Sequence, residues 1–395
     1  MTVLESVHEA HGATFREVGG RRVVDNYGRP ERTHRAVRNV VGAMEYGYGV
    51  IVVTGEDRVD YVDNAVSNHV PDEDGAGCYA LLLDPDGRVD TDMYVYNAGE
   101  RLLVFTPPQK AEELAAEWAD KTFIQDVEFE VATDDFAVFG VHGPKATEKI
   151  ASVLHQTGTP PAPLTFERGE LGDAGVSVIR TDNLAGEESY DVVCSADDAE
   201  AVFDTLVNRG LNAVPFGYQT WEPLTLEAGT PLFDSEIEGA LPNDLGLRNA
   251  LDFEKGCYVG QEVVSRIENR GHPTQRLVGL AVEGRQENGG GILNGPEGHE
   301  AVLAAAPGDR PRPGLTHAGG EPIRGLILQV RVVGVEVVGY VVVNTVLEGG
   351  DFTVVTGVSQ FGKVRLGVVL VVRTDVVGHV EVLDLGRFIE GLEDG

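Results

Sequence analysis

"FAVFGVHGPKATEKIASVL", Phe136–Leu154, runs from an apolar, β-branched stretch through a small polar turn at Gly143–Lys145 into a helical pattern. The same order occurs at Val50–Val66, "VIVVTGEDRVDYVDNAV", and at Tyr190–Gly210, "YDVVCSADDAEAVFDTLVNRG". In the last of these, Ser195 is placed to cap a helix with acids in its first turn, and Gly210 to end it. Three such strand–helix units predict an α+β body. Between them, "CYALLLDPDGRVDTDMYVYN" (Cys78–Asn97) sets the turn signal "DPDG" between two strand runs, which predicts a hairpin. A further helix is expected near Gln109–Lys121.

Outward from these units the chain changes character. Residues 1–284 read as one body of two lobes. A Gly-rich linker follows at 285–300, within "GRQENGGGILNGPEG". Residues 301–395, rich in valine, are expected to form a β-rich C-terminal domain. Its most apolar run, Gly325–Leu347, is interrupted by Arg331 and Glu336, so it suits buried strands better than a membrane helix.

The 395 residues carry 64 acids against 31 basic residues, a formal charge of −33. Lysine is scarce among the basic residues. Such a surface stays soluble through hydrated carboxylates but repels itself at low salt, which points to a halophilic, salty cytoplasm. It argues against nucleic-acid and membrane partners, since both need clustered Lys and Arg. The N-terminal "MTVLESVHEAHG" has neither a basic nor an apolar segment of signal-peptide type, so a cytoplasmic protein is expected.

Three widely spaced cysteines, Cys78, Cys194 and Cys257, predict free thiols rather than a disulfide framework. The histidines show no metal-ligand spacing, and no phosphate-binding glycine loop is present. Three constellations remain as candidates for chemistry. Cys257 lies in "FEKGCYVGQE" (Phe253–Glu262), beside Lys255 and between Gly256 and Gly260; its local chemistry leaves a working thiol and a buried one equally open. In "DNLAGEESYDV" (Asp182–Val192), Glu187 could accept the paired N–H donors of an aminopyrimidinone, or stand in a solvated acidic turn. In "GRVDTDMYVY" (Gly87–Tyr96), Asp90 and Asp92 fall on one face of a strand by period-two alternation, a pattern that is ordinarily solvent-facing.

The octapeptide "KGCYVGQE" resembles the signature of the YgfZ group of folate-binding proteins, relatives of the glycine cleavage T-protein (aminomethyltransferase). "THRAVRNVVGAMEY", "VFGVHGPKA", "AGEESYDV" and "LEAGTPLF" are similar to further segments of that family, and together the likeness spans residues 15 to 284. It implies a multi-lobed fold around a central channel holding tetrahydrofolate, with a C-terminal β-rich domain. It also implies cofactor contacts from Glu187 and Tyr190, with Lys255, Gly256, Tyr258 and Gln261 of the octapeptide expected beside them, and Trp221, which replaces a family arginine, could stack on a pterin face. Two features lean toward the YgfZ side: Thr91 stands at the first position of the T-protein Asp–Asp pair, and Trp221 and Thr225 stand where T-proteins carry arginines. The first expectation is therefore a tetrahydrofolate-binding protein that assists iron–sulfur cluster assembly or repair, with iron–sulfur client proteins as partners and Cys257 kept partly as thiolate by Lys255. The alternative is an aminomethyltransferase or related one-carbon transferase, served by a lipoylated carrier protein, in which Asp92 or Asp90 orients the reacting amines.

Overall fold

The computed structural model describes residues 2–270 and, beyond them, the backbone of strands between Gln275 and Gly391. It divides into two compact units, residues 1–242 with 247–265, and residues 243–246 with 266–395. The linker expected at 285–300 falls largely outside the described residues, as do residues 284 and 285, where the body was expected to end.

The first unit opens with α1 (Glu5–Ala10), β1 (Thr14–Val18), β2 (Arg21–Asn26) and α2 (Pro30–Asn39). β3 (Gly42–Glu45), β4 (Gly49–Thr54), α3 (Arg58–Ala65), β5 (Gly77–Leu83), β6 (Val89–Asn97) and β7 (Leu102–Thr106) follow. Next come α4 (Ala111–Lys121), β8 (Glu128–Val131), β9 (Phe136–His142), α5 (Ala146–Val153) and β10 (Leu154–His155). β11 (Phe166–Leu171), β12 (Ala174–Arg180), β13 (Tyr190–Ser195), α6 (Ala199–Asn208), β14 (Val214–Pro215) and α7 (Tyr218–Ala228) complete its main frame.

Two sheets carry this unit. One has seven strands in the order β10-β11-β12-β13-β9-β3-β14, the other five in the order β5-β6-β7-β4-β8. The outer face of the first packs on α5 and α6 through Phe139, Ile150, Phe203 and Leu206. The outer face of the second packs on α3 and α4 through Ile51, Val62, Leu114 and Trp118. The inner faces meet in a third cluster, which includes Tyr46, Tyr96, Phe105, Val138, Val193 and Trp221. Sheet-on-sheet packing with helices outside follows from the sequence, because the central strands are apolar on both faces.

The local signals have visible causes. Ser195 accepts a hydrogen bond from the Asp198 N–H (3.3 Å), and α6 stops two residues before Gly210, whose φ is +59°. Asp84 accepts from the N–H groups of Asp86 and Arg88 (both 2.9 Å), closing the β5–β6 hairpin. At the turn after β9, Gly143 has φ +121°, and a Cβ there would lie 2.4 Å from the Val37 carbonyl oxygen, so only glycine serves.

In the second unit, Gln275–Glu283 pairs antiparallel with His299–Pro307, Leu326–Gln329 with Tyr340–Val343, and Val364–Thr374 lies between Gly357–Phe361 and Val380–Gly391. No described helix is long and apolar enough to cross a membrane.

Candidate functional site

Alternation along the strands decides which side chains enter the space between the two sheets. On β6, Met93 and Val95 join the cluster under α3 and α4, so Asp92, Tyr94 and Tyr96 face inward. On β13, Tyr190, Val192 and Cys194 join the cluster under α5 and α6, so Asp191 and Val193 face inward. Tyr46 and Tyr48 come from the connection between β3 and β4.

These residues build a wall of rings. Tyr79 and Tyr94 are cross-strand partners with centroids 4.8 Å apart, and Tyr94 is parallel to Tyr96 at 6.4 Å. Phe105 lies 5.8 Å from Tyr96 and 6.0 Å from Tyr48, and Tyr46 lies 4.9 Å from Tyr48. Trp221 of α7 closes one side, 5.6 Å from Tyr46 and 4.7 Å from His142, whose Nε2 shares a hydrogen bond with the Tyr46 hydroxyl (2.7 Å).

Three carboxylates stand among the rings. Tyr79 donates to Asp92 Oδ2 (2.8 Å), and Tyr94 donates to Asp182 Oδ1 (3.1 Å). Asp191 is 8% exposed, and its Oδ1 has no hydrogen-bond partner among the described residues. Desolvation governs all three. Burial pushes Asp92 up to about 6 against the opposing pull of the Tyr79 hydrogen bond. Asp182 is raised by burial, and Asp191 is raised well above the carboxylate range by burial and by the charge of Asp182. Burial, with Arg38 nearby, drives His142 down to about 3, so it is neutral at physiological pH. Asp92, Tyr48, Tyr94 and Asp182 nonetheless keep some accessible surface.

The residues expected from the sequence are distributed unevenly. Asp92 enters this space and Asp90 does not: a bulge in the pairing with β5 skips Asp90, whose carboxylate instead meets Lys110 Nζ at 3.3 Å. Tyr190 points the other way, into the core under α5 and α6, with its hydroxyl 3.1 Å from Thr147 Oγ1. Its neighbour Asp191 takes the inward position, because successive strand residues alternate faces. Trp221 is in the wall. Glu187 lies half-buried in the turn before β13 and makes no hydrogen bond or ion pair with a described residue, whereas Glu188 is bound by Thr147 and Arg180.

The octapeptide forms its own loop. The ammonium of Lys255 is spent on the carbonyls of Asp63, Val66 (3.0 Å) and Asn68 (2.8 Å), with the Asp63 carboxylate at 3.4 Å. It therefore holds the end of α3, giving a donor to carbonyls that the helix end leaves unpaired. Tyr258 packs against Lys255, and Gln261 Nε2 donates to the Lys255 and Gly256 carbonyls (3.4 and 3.3 Å). Cys257 is exposed, whereas burial raises Cys78 and Cys194 to about 12. No described contact joins this loop to Asp92 or Glu187. Among the described residues no group of three or more His, Cys, Asp or Glu is placed to hold a metal ion.

Sequence reasoning missed Tyr46, Tyr48, Tyr79, Tyr94, Tyr96, Asp182 and Asp191. The signal for Asp191 was there: an acid inside the apolar strand run "YDVVC" must have a reason to be buried. For the tyrosines it was the alternation of Asp92 with Tyr94 and Tyr96.

Comparison with known proteins agrees with this architecture. The GCVT N-terminal domain family matches residues 4–255. An aminomethyltransferase of Saccharopolyspora erythraea is 31% identical over 293 residues, covering 72% of this chain and 79% of the relative. One of Geobacillus kaustophilus is 28% identical, covering 76% and 84%. The fold is similar to the crystal structure of glycine cleavage system aminomethyltransferase T from Bartonella henselae, with a TM-score of 0.66 at 19% identity over 84% of this chain and 93% of that one. The family model over residues 4–255, together with a relative 31% identical over 72% of this chain, places the chain in the glycine cleavage T-protein (GCVT) family.

Proposed function

We propose that the protein transfers an aminomethyl-derived one-carbon unit to tetrahydrofolate, with Asp92 as the group that handles the proton of the reacting amine. This is the alternative of the two sequence readings, and the relatives named aminomethyltransferase favour it. The observation that carries it is Asp92: inward, hydrogen-bonded by Tyr79, and raised to about 6, close to the pH at which a base both exists and accepts a proton.

The inter-sheet cluster has the chemistry that a pterin needs. Its rings offer stacking surfaces, the orphaned Oδ1 of Asp191 is an acceptor for adjacent N–H donors, and the Tyr48 and Tyr96 hydroxyls are free of described partners. Glu187 is a second such acceptor at the turn. Tetrahydrofolate supplies the nucleophilic amine that receives the carbon. Asp92, ionised at neutral pH, attracts the ammonium of the donor and accepts the proton that the acceptor amine sheds as its new bond to carbon forms; the bond from that carbon to the donor nitrogen breaks and ammonia leaves, and closure by the second folate amine breaks the carbon's bond to the lipoyl sulfur, which leaves as the thiol. Tyr79 fixes the carboxylate in orientation, and the aromatic wall keeps water from competing for the carbon. The donor is a lipoylated carrier protein bearing the aminomethyl group.

Folate-stimulated ammonia release from an aminomethyl-loaded lipoylated carrier tests the reading. Tetrahydrofolate binding without any release would sink it and favour the second reading, assistance to iron–sulfur proteins, which rests on the exposed Cys257 in "KGCYVGQE".

A further inference from the structure

Two family-like segments, "THRAVRNVVGAMEY" and "LEAGTPLF", meet at a side chain that the chemistry above does not use. Arg38 of α2 uses all three faces of its guanidinium. Nη1 donates to the Ala185 carbonyl (2.7 Å), Nη2 to the Leu224 carbonyl (3.0 Å), and Nε to Glu227 Oε2 (2.7 Å). Glu227 is also 3.1 Å from His34 Nε2, an ionic contact that is not aligned as a hydrogen bond. Burial raises the Glu227 carboxyl, but His34 and Arg38 together outweigh it and hold it below its usual range.

The element that Arg38 grips is the turn ahead of β13. Its base is closed by the Thr181 N–H donating to the Ser189 carbonyl (3.0 Å) and by a 2.6 Å hydrogen bond between their hydroxyls. Its tip holds two left-handed residues, Asn183 (φ +66°) and Gly186 (φ +80°), and the Gly186 N–H donates to the Asn183 carbonyl (2.7 Å). A Cβ on Gly186 would lie 3.3 Å from the Ala228 Cβ, so the tip rests on the end of α7. Immediately after it comes Glu187, half-buried and without a described partner.

We propose that Arg38, set by Glu227, is a positioning residue that locks the Asn183–Gly186 tip and so aims Glu187 at the ligand between the sheets. The physical reason is preorganisation. A turn with two left-handed residues keeps its shape only through what holds it, here the packing of Leu184 and Ala185 and the bond from Arg38 to the Ala185 carbonyl, and a carboxylate on it loses ordering entropy on binding unless the backbone is already fixed. Arg is required because its planar fork fixes the directions of all three bonds at once, whereas an ammonium on a flexible stem has donors that rotate freely.

Identifying the ligand of Glu187 as tetrahydrofolate rests on the function proposed above, so the test has two readouts. Tetrahydrofolate is titrated into the wild-type protein, Arg38→Lys, Arg38→Ala and Glu227→Gln, and amide hydrogen exchange and melting are followed in the same proteins. Expected are a loss of folate affinity of about tenfold in Arg38→Lys and more in Arg38→Ala, partial recovery of Arg38→Ala with millimolar guanidinium, and little change in Tm. Exchange should quicken at residues 183–187 while the amides of β13 keep their protection. Unchanged affinity in both Arg38 variants, or a loss matched by general unfolding and not rescued by guanidinium, would overturn the proposal; if Arg38→Ala does not fold, Glu227→Gln decides it. Should the wild type bind no folate, the folate reading fails, and the clamp is judged by exchange alone: unaltered protection at 183–187 overturns it, local quickening sustains it.

Discussion

At the scale of single residues, Asp92 is a carboxylate placed where its charge is costly. Its folded-state value of about 6 lies above the unfolded value near 4. Below pH 4 both states are protonated, and between 4 and 6 the unfolded chain ionises first, so Asp92 lowers stability as pH rises through that window. Asp92→Asn should therefore raise stability at pH 7.5 by on the order of 2 to 3 kcal/mol, a gain that vanishes near pH 4, while ammonia release is abolished; thermal melts across pH and the carrier assay check both halves. Ammonia release in the unmodified protein should rise with pH through an inflection near 6. Because the Tyr79 hydrogen bond pulls the Asp92 value down, Tyr79→Phe should move that inflection upward. Cys257 presents a different case: being exposed, it should be alkylated at pH 8 while Cys78 and Cys194, buried, react only on unfolding, as peptide mapping would reveal. Equal protection of all three would contradict its placement.

Among the elements, α3 and β6 show how neighbours override local pattern. The C-terminal carbonyls of α3 and the chain beyond it are satisfied from a distance of nearly two hundred residues, by Lys255, whose side chain is only 5% exposed. Lys255→Met should cost about 2 kcal/mol or more, since it strands the carbonyls at the end of α3; denaturant titration checks it. On β6, the period-two rule put Asp90 and Asp92 together, and a bulge opposite Leu82 and Leu83 parted them. On β13 the same rule, applied to Tyr190, would have pointed to Asp191 instead. Alternation was legible in the sequence; which phase faced the partner sheet was not, because both faces of these strands are covered.

Across the whole molecule, the charge of −33 acts on every element at once. The screening length falls from about 10 Å at 0.1 M salt to about 3 Å at 1 M. The melting temperature should therefore climb from 0.1 to 1 M KCl, and a flat or falling profile would remove the case for salt adaptation. The α+β body was foreseeable from three strand–helix units and one hairpin, whose caps, turns and periodicities are local and so are written in adjacent residues. The site was foreseeable in part: Asp92 and Glu187 lay in quotable motifs, and Trp221 entered through resemblance. The sequence by itself determined the element types, the α+β class and the acidic surface, all of which depend on neighbours a few positions apart. Only the tertiary structure decided that Asp92, Asp182 and Asp191 share one aromatic space, that Asp90 leaves it and that Lys255 serves a helix end. Those outcomes depend on which faces of distant strands meet and on how much water is excluded between them.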